Sequence, residues 1–145
     1  MTLQRHPWDP VLLTTLPHLL CAITAPYPYS AIIAASSISS IMWHSEHEPM
    51  NIFFWLDYSF ALIWGFYDIS QLGVAGLTLN FIAIGTNLLV NRLASAGIYP
   101  YERGHALWHL FSCMLTVYKV DLMIRLQKGE LRLGDLADST TPPTL

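Results

Sequence analysis

The chain reads as an all-α, polytopic membrane helical bundle of about five helices, and three observations predict it. Hydrophobic residues make up 53% and charged residues 12% of the 145 positions, about half the charged share of an average soluble domain. The apolar residues gather in five stretches divided by short polar or proline-bearing joints. Those stretches also lack the polar stripe at helical period that a water-facing helix carries. Phe53 to Phe66 offers Asp57 and Ser59 as its main polar interruptions, and Leu72 to Val90 offers only Thr78, Asn80, Thr86 and Asn87. A mean hydropathy of +0.41 agrees with this reading.

Each element follows in order. The first apolar segment runs from Val11 to Ala25 and ends at the turn Pro26-Tyr27-Pro28; Pro17 inside it predicts a kinked or oblique course. The second runs from Tyr29 to His44 and the third from Ile52 to Tyr67, with the polar hinge Ser45 to Asn51 between them. Asp68-Ile69-Ser70-Gln71 then breaks the run, and the fourth segment extends from Leu72 to Val90. After the joint Asn91 to Arg103, the fifth covers Gly104 to Leu126. A spanning helix needs roughly 17–25 residues. The fourth and fifth segments meet that length, and the second and third are borderline. The domain reading is therefore a polar N-terminal segment at 1–10, a membrane bundle at 11–126 and a polar, disordered tail at 127–145. Residues 1–10 show none of the features of a cleaved secretory signal, so the first apolar segment is expected to be retained.

Composition also excludes. A formal net charge of -3 without a basic cluster argues for no nucleic acid partner. Cys21 and Cys113, far apart in sequence, imply no disulfide framework. Fixed positive charges divide almost evenly, with Arg5, Arg92 and Arg103 on one side and Lys119, Arg125, Lys128 and Arg132 towards the other. The membrane and the orientation within it are left open.

Ionisable residues inside apolar segments are functional candidates, because placing them there costs free energy unless they are paired or bound to a metal. If segments two to five alternate in direction, Ser40 and His44 sit at the exit of the second. Asp57 lies within two turns of the start of the third, and His105 and His109 open the fifth. All five groups then fall on one side of the membrane at similar depth, a few to roughly ten ångströms below the interface at about 1.5 Å per residue. The i, i+4 spacing puts His105 and His109 on one helix face and gives Ser40 and His44 the same relation. Three imidazoles with a carboxylate and a hydroxyl match the chemistry of a catalytic zinc site, with His44, His105 and His109 as metal ligands. Asp57 is the expected general base and Ser40 the group that orients water or donates to a developing oxyanion. Bland alternatives stand beside these readings. Asp57 could pair with Arg92 or Arg103, and Ser40 belongs to a cluster of small residues suited to close packing. His47 reads as a rim residue, and His18 as a packing or capping residue. Trp43, Trp55, Trp64 and Trp108, with Tyr99 and Tyr101, read as interface anchors.

The pattern Ser40/His44, Asp57 and His105/His109 resembles that of the CREST superfamily, which includes the alkaline ceramidases, the adiponectin and progestin receptors and the myomaker group. That family places a serine and histidine late in its second helix, an aspartate early in the third and HxxxH in its last. The resemblance covers most of Tyr29 to Tyr67 and Gly104 to Asp121. It implies zinc as cofactor, a membrane lipid as substrate and hydrolysis of a ceramide-like amide from within the lipid bilayer. The family usually has seven helices, and one segment rather than three separates the aspartate from HxxxH here, so the lipid cavity is the part in question. The alternative expectation is a non-catalytic membrane component, a small complex subunit or receptor-like remnant with a structural metal site. A proton or ion carrier is a weaker third. Association into an oligomer or larger complex is left open.

Overall fold

The computed structural model describes residue 6 and residues 8–138. Among these, every regular element is helical: α1 (Pro10–Thr15), α2 (Pro17–Thr24), α3 (Tyr29–Ser45), α4 (Ile52–Leu72), α5 (Val74–Ser95), α6 (Tyr101–Gln127) and α7 (Leu133–Asp138). The first apolar segment is kinked as expected. The Asp9 carboxylate caps α1 by accepting from the Val11 amide at 2.9 Å, and Pro17 restarts the chain as α2.

Helices α3 and α6 match the expected second and fifth segments to within a few residues at each end. Helix α4 does not stop where the sequence suggested. It continues through Asp68 and Gln71 to Leu72, and Gly73, with φ of 57°, makes the reversal into α5. The apparent break is polar without being irregular, because Asp68 is wholly buried against the Lys119 ammonium of α6. Beyond Gln127 the polar stretch contains α7, and the part of the expected tail from 139 to 145 lies outside the described residues.

Short turns join α3, α4, α5 and α6, so consecutive helices reverse direction and pack side by side. Helices α1 and α2 pack on α3 and α6. Polar groups are turned inward, with Ser36, Ser37, Ser39, Ser40 and His44 all buried on α3. Large apolar side chains are turned outward: Leu62, Phe66, Phe81, Leu88 and Met114 are each more than half exposed. Only Gly76 is buried on α5. Helices α5 and α6 are long and apolar enough to cross a membrane, and the exposure of α5 sets it apart from the core helix of a soluble protein.

The two ends of the bundle hold different chemistry. At one end, Tyr29, Ile33, Leu72, Val120, Leu122 and Met123 form an apolar core around a buried polar knot. The Tyr29 hydroxyl donates to Asp68 Oδ1 at 2.6 Å and accepts from the Trp64 indole at 2.7 Å. Lys119 donates to Asp68 Oδ2 and, at 2.7 Å, to Asn80 Oδ1. One knot thereby joins α3, α4, α5 and α6. The other end carries the histidines.

Candidate metal centre

The end of α3 and the start of α6 meet because the turns at 46–51 and 96–100 lie on the same side of the bundle. This brings together His44, His105 and His109, which are 1%, 6% and 4% exposed. The Nε2 atom of His44 lies 3.4 Å from that of His105 and 3.3 Å from that of His109. One ligand atom from each of the three residues can be chosen so that all lie within 4.8 Å of one another. Nitrogens bound tetrahedrally to zinc at about 2.0–2.1 Å stand about 3.3 Å apart, so two edges of the triad have the size a zinc ion requires.

Donor chemistry supports the fit. His44 Nδ1 lies 2.9 Å from Glu48 Oε1. A carboxylate only accepts, so Nδ1 carries the proton and a neutral His44 presents a bare lone pair at Nε2. That single lone pair faces two further imidazole nitrogens. It cannot accept well from both, whereas a cation at their centre takes a lone pair from each of the three rings. The triad can hold a metal ion, and its all-nitrogen donor set suits zinc.

The support around His44 comes from an irregular turn. His47 and Glu48 adopt left-handed backbone conformations with φ of 62° and 61°, uncommon for residues with a side chain. This folds the Glu48 carboxylate back over the end of α3. Its second oxygen, Oε2, accepts from the Tyr101 hydroxyl at 2.8 Å, and the Tyr101 ring stacks on His105 with centroids 5.0 Å apart. Asn51 completes the turn by capping α4, its Oδ1 accepting from the amides of Phe53 at 2.9 Å and Phe54 at 3.2 Å. A carboxylate on the outer nitrogen of a ligating histidine is a common way to fix ring orientation.

Ser40 and Asp57 reach the same place. The Ser40 side chain and the His44 ring are both neighbours that act on the Asp57 carboxyl. Neither Arg92 nor Arg103 is among the groups that act on Asp57. His47 is exposed in the turn, consistent with a rim position. His18 is buried and does both things the sequence suggested, its Nδ1 lying 3.3 Å from the Thr15 carbonyl at the end of α1 while its ring packs in the interior. Its Nε2 lies 2.9 Å from Ser112 Oγ, and its ring lies edge-on between Trp64, 6.0 Å away, and His109, 6.2 Å away.

Several aromatic residues are placed inward where the sequence suggested interface anchors. Trp43 is 9% exposed and packs on His44 at 4.9 Å. Trp108 donates to the Ala83 carbonyl at 3.0 Å, Trp64 donates to Tyr29, and Tyr101 reaches Glu48. Trp55, 59% exposed, keeps an outward position. Sequence reasoning missed Glu48 and Tyr101 as parts of the site. The one available signal was the i, i+4 spacing of His44 and Glu48, hidden because the helix ends between them.

Comparison with protein-family models, curated proteins and solved structures finds no match for this chain.

Proposed function

We propose that this chain is a multi-pass membrane protein whose histidine triad binds zinc and whose activity is hydrolysis of a ceramide-like lipid amide. The observation that carries the proposal is the convergence of His44, His105 and His109 beside Asp57 and Ser40 at one end of the bundle. The outward-facing apolar side chains of α4, α5 and α6 support a bilayer as the solvent of this surface. Zinc held by three neutral imidazoles supplies Lewis-acid charge and a water acidified to a pKa of about 7. The chain's own groups do the rest. Asp57 accepts a proton and later returns it to the amine leaving group, and Ser40 holds the Asp57 carboxyl in place and offers a donor to a developing oxyanion. Glu48 keeps His44 in the tautomer whose Nε2 is free to bind.

A second reading has an observation of its own. Two surface grooves, of about 150 and 270 Å³, lie between α5 and α6, and neither is lined by the triad, Ser40 or Asp57. The near-complete burial of the three histidines suits a structural zinc that staples a small bundle.

One experiment separates the readings. Metal content of detergent-purified protein is measured by plasma mass spectrometry beside a His105→Ala/His109→Ala variant, followed by ceramide hydrolysis assays. About one zinc per chain, lost in the variant, together with ceramide turnover supports the hydrolase. Zinc without turnover, with chelation loosening the fold, supports the structural site. Metal-free, well-folded protein that ignores added zinc rejects both.

A further inference from the structure

Cys21 on α2 and Cys113 on α6 are 92 residues apart in sequence, yet their sulfurs lie 3.6 Å apart. Both are free thiols; Cys21 is buried and Cys113 partly exposed. We propose that this pair is a redox-active dithiol, which small apolar disulfides oxidise to an intramolecular bond that fastens α2 to α6 beside the histidine triad. The inference stands on the sulfur geometry and does not require the triad to hold zinc.

A disulfide needs its sulfurs at about 2.05 Å, so closing the bond moves them together by about 1.5 Å. Rotation of the two short side chains is the motion that brings the sulfurs together. The location gives the bond a consequence. Cys21 follows His18 by one helical turn, and Cys113 follows His109 by one turn. Helix α2 lies between Pro17 and Pro26, two points where the backbone ladder is interrupted. The His18–Ser112 hydrogen bond and the facing sulfurs both tie it to α6. Oxidation would replace the weaker sulfur contact with a covalent one and hold His18 against His109.

The chemistry balances with a low-molecular-weight disulfide as oxidant. Cys113, the more accessible thiol, loses its proton and attacks one sulfur of the oxidant, releasing the first thiol and leaving a mixed disulfide on Cys113. Cys21 then loses its proton and attacks the Cys113 sulfur, forming the Cys21–Cys113 bond and expelling the second thiol. The protein gives up two electrons and two protons, and the oxidant becomes two thiols.

The test uses the full chain in detergent micelles, treated with dipyridyl disulfide and read by intact mass and by release of pyridinethione. The expected result is two pyridinethiones per chain and a mass lower by two hydrogen atoms, with Cys21 and Cys113 recovered in one cross-linked peptide. Cys21→Ser should instead stop at the stable pyridyl adduct on Cys113. Retention of pyridyl adducts by the wild-type protein would overturn the proposal. So would a folded chain that fails to react while the unfolded chain does.

Discussion

Glu48 Oε1 accepts the Nδ1 proton of His44 across 2.9 Å, although the helix that carries His44 has already ended at Ser45. The contact exists because His47 and Glu48 take left-handed backbone conformations, each costing on the order of 1–3 kcal/mol. A turn held in this form points to a constraint on the His44 ring. Glu48→Ala is therefore expected to weaken zinc binding by about 10–100-fold, measured by competition with a fluorescent chelator. Tyr101→Phe removes only the hydroxyl on Oε2 and should cost less. Equal zinc affinity in Glu48→Ala and wild type would show that His44 is oriented by packing alone.

Asp57 lies beside the triad without belonging to it. Replacing the carboxylate with an amide removes a proton acceptor and leaves three imidazoles in place. Asp57→Asn is expected to retain zinc at the wild-type level and lose ceramide turnover by at least about 100-fold, the lower range of a general base's contribution. Ser40→Ala should show a smaller loss with the same metal content. The check is paired metal analysis and single-turnover hydrolysis; a zinc-free Asp57→Asn protein would move Asp57 into the ligand set.

The triad was legible because its spacing and its sidedness are local properties. His105 and His109 share a face by periodicity, and chain reversal at each polar joint carries His44 to the same end. What the sequence hid was long-range or irregular. Asp68 read as a break because its partner Lys119 lies 51 residues later, and Asp68, Ser70 and Gln71 close together in sequence look like a loop. Glu48 read as hinge because left-handed turns without glycine have no compositional signature. The inward tryptophans were unreadable for a related reason. An indole suits either a membrane interface or a buried donor site, and Trp108 and Trp64 found acceptors at Ala83 and Tyr29 that no local pattern announces.

The Asp68–Lys119 pair makes the strongest prediction about stability. Both side chains are almost wholly buried, so removing one leaves an uncompensated charge, a loss of about 3–5 kcal/mol. Lys119→Met and Asp68→Leu should each lower the unfolding midpoint in mixed micelles sharply. The double variant, which removes both charges together, should recover much of the loss, and the coupling can be measured by a double-mutant cycle. Additive losses would mean that Tyr29 and Asn80, and not the ion pair, hold the knot together.

Two glycines of α5 should respond in opposite directions to the same substitution. A Cβ at Gly76 would stand 2.4 Å from the Asp68 carbonyl oxygen, a backbone atom of α4 that cannot rotate away. Gly76→Ala must therefore push α4 and α5 apart at the level of the polar knot. Overpacking of this kind costs about 1–3 kcal/mol, and here it would also lengthen the bonds from Asn80 and Lys119. At Gly85 the same Cβ meets nothing within 4 Å, and alanine gains helix propensity, by up to about 1 kcal/mol. Thermal unfolding in one detergent should thus rank Gly85→Ala at or above wild type and Gly76→Ala below both. Equal midpoints for the two variants would contradict the close approach of α4 and α5. A drop at Gly76 alone ties the small residue to the close approach of α5 to the α4 backbone at Asp68.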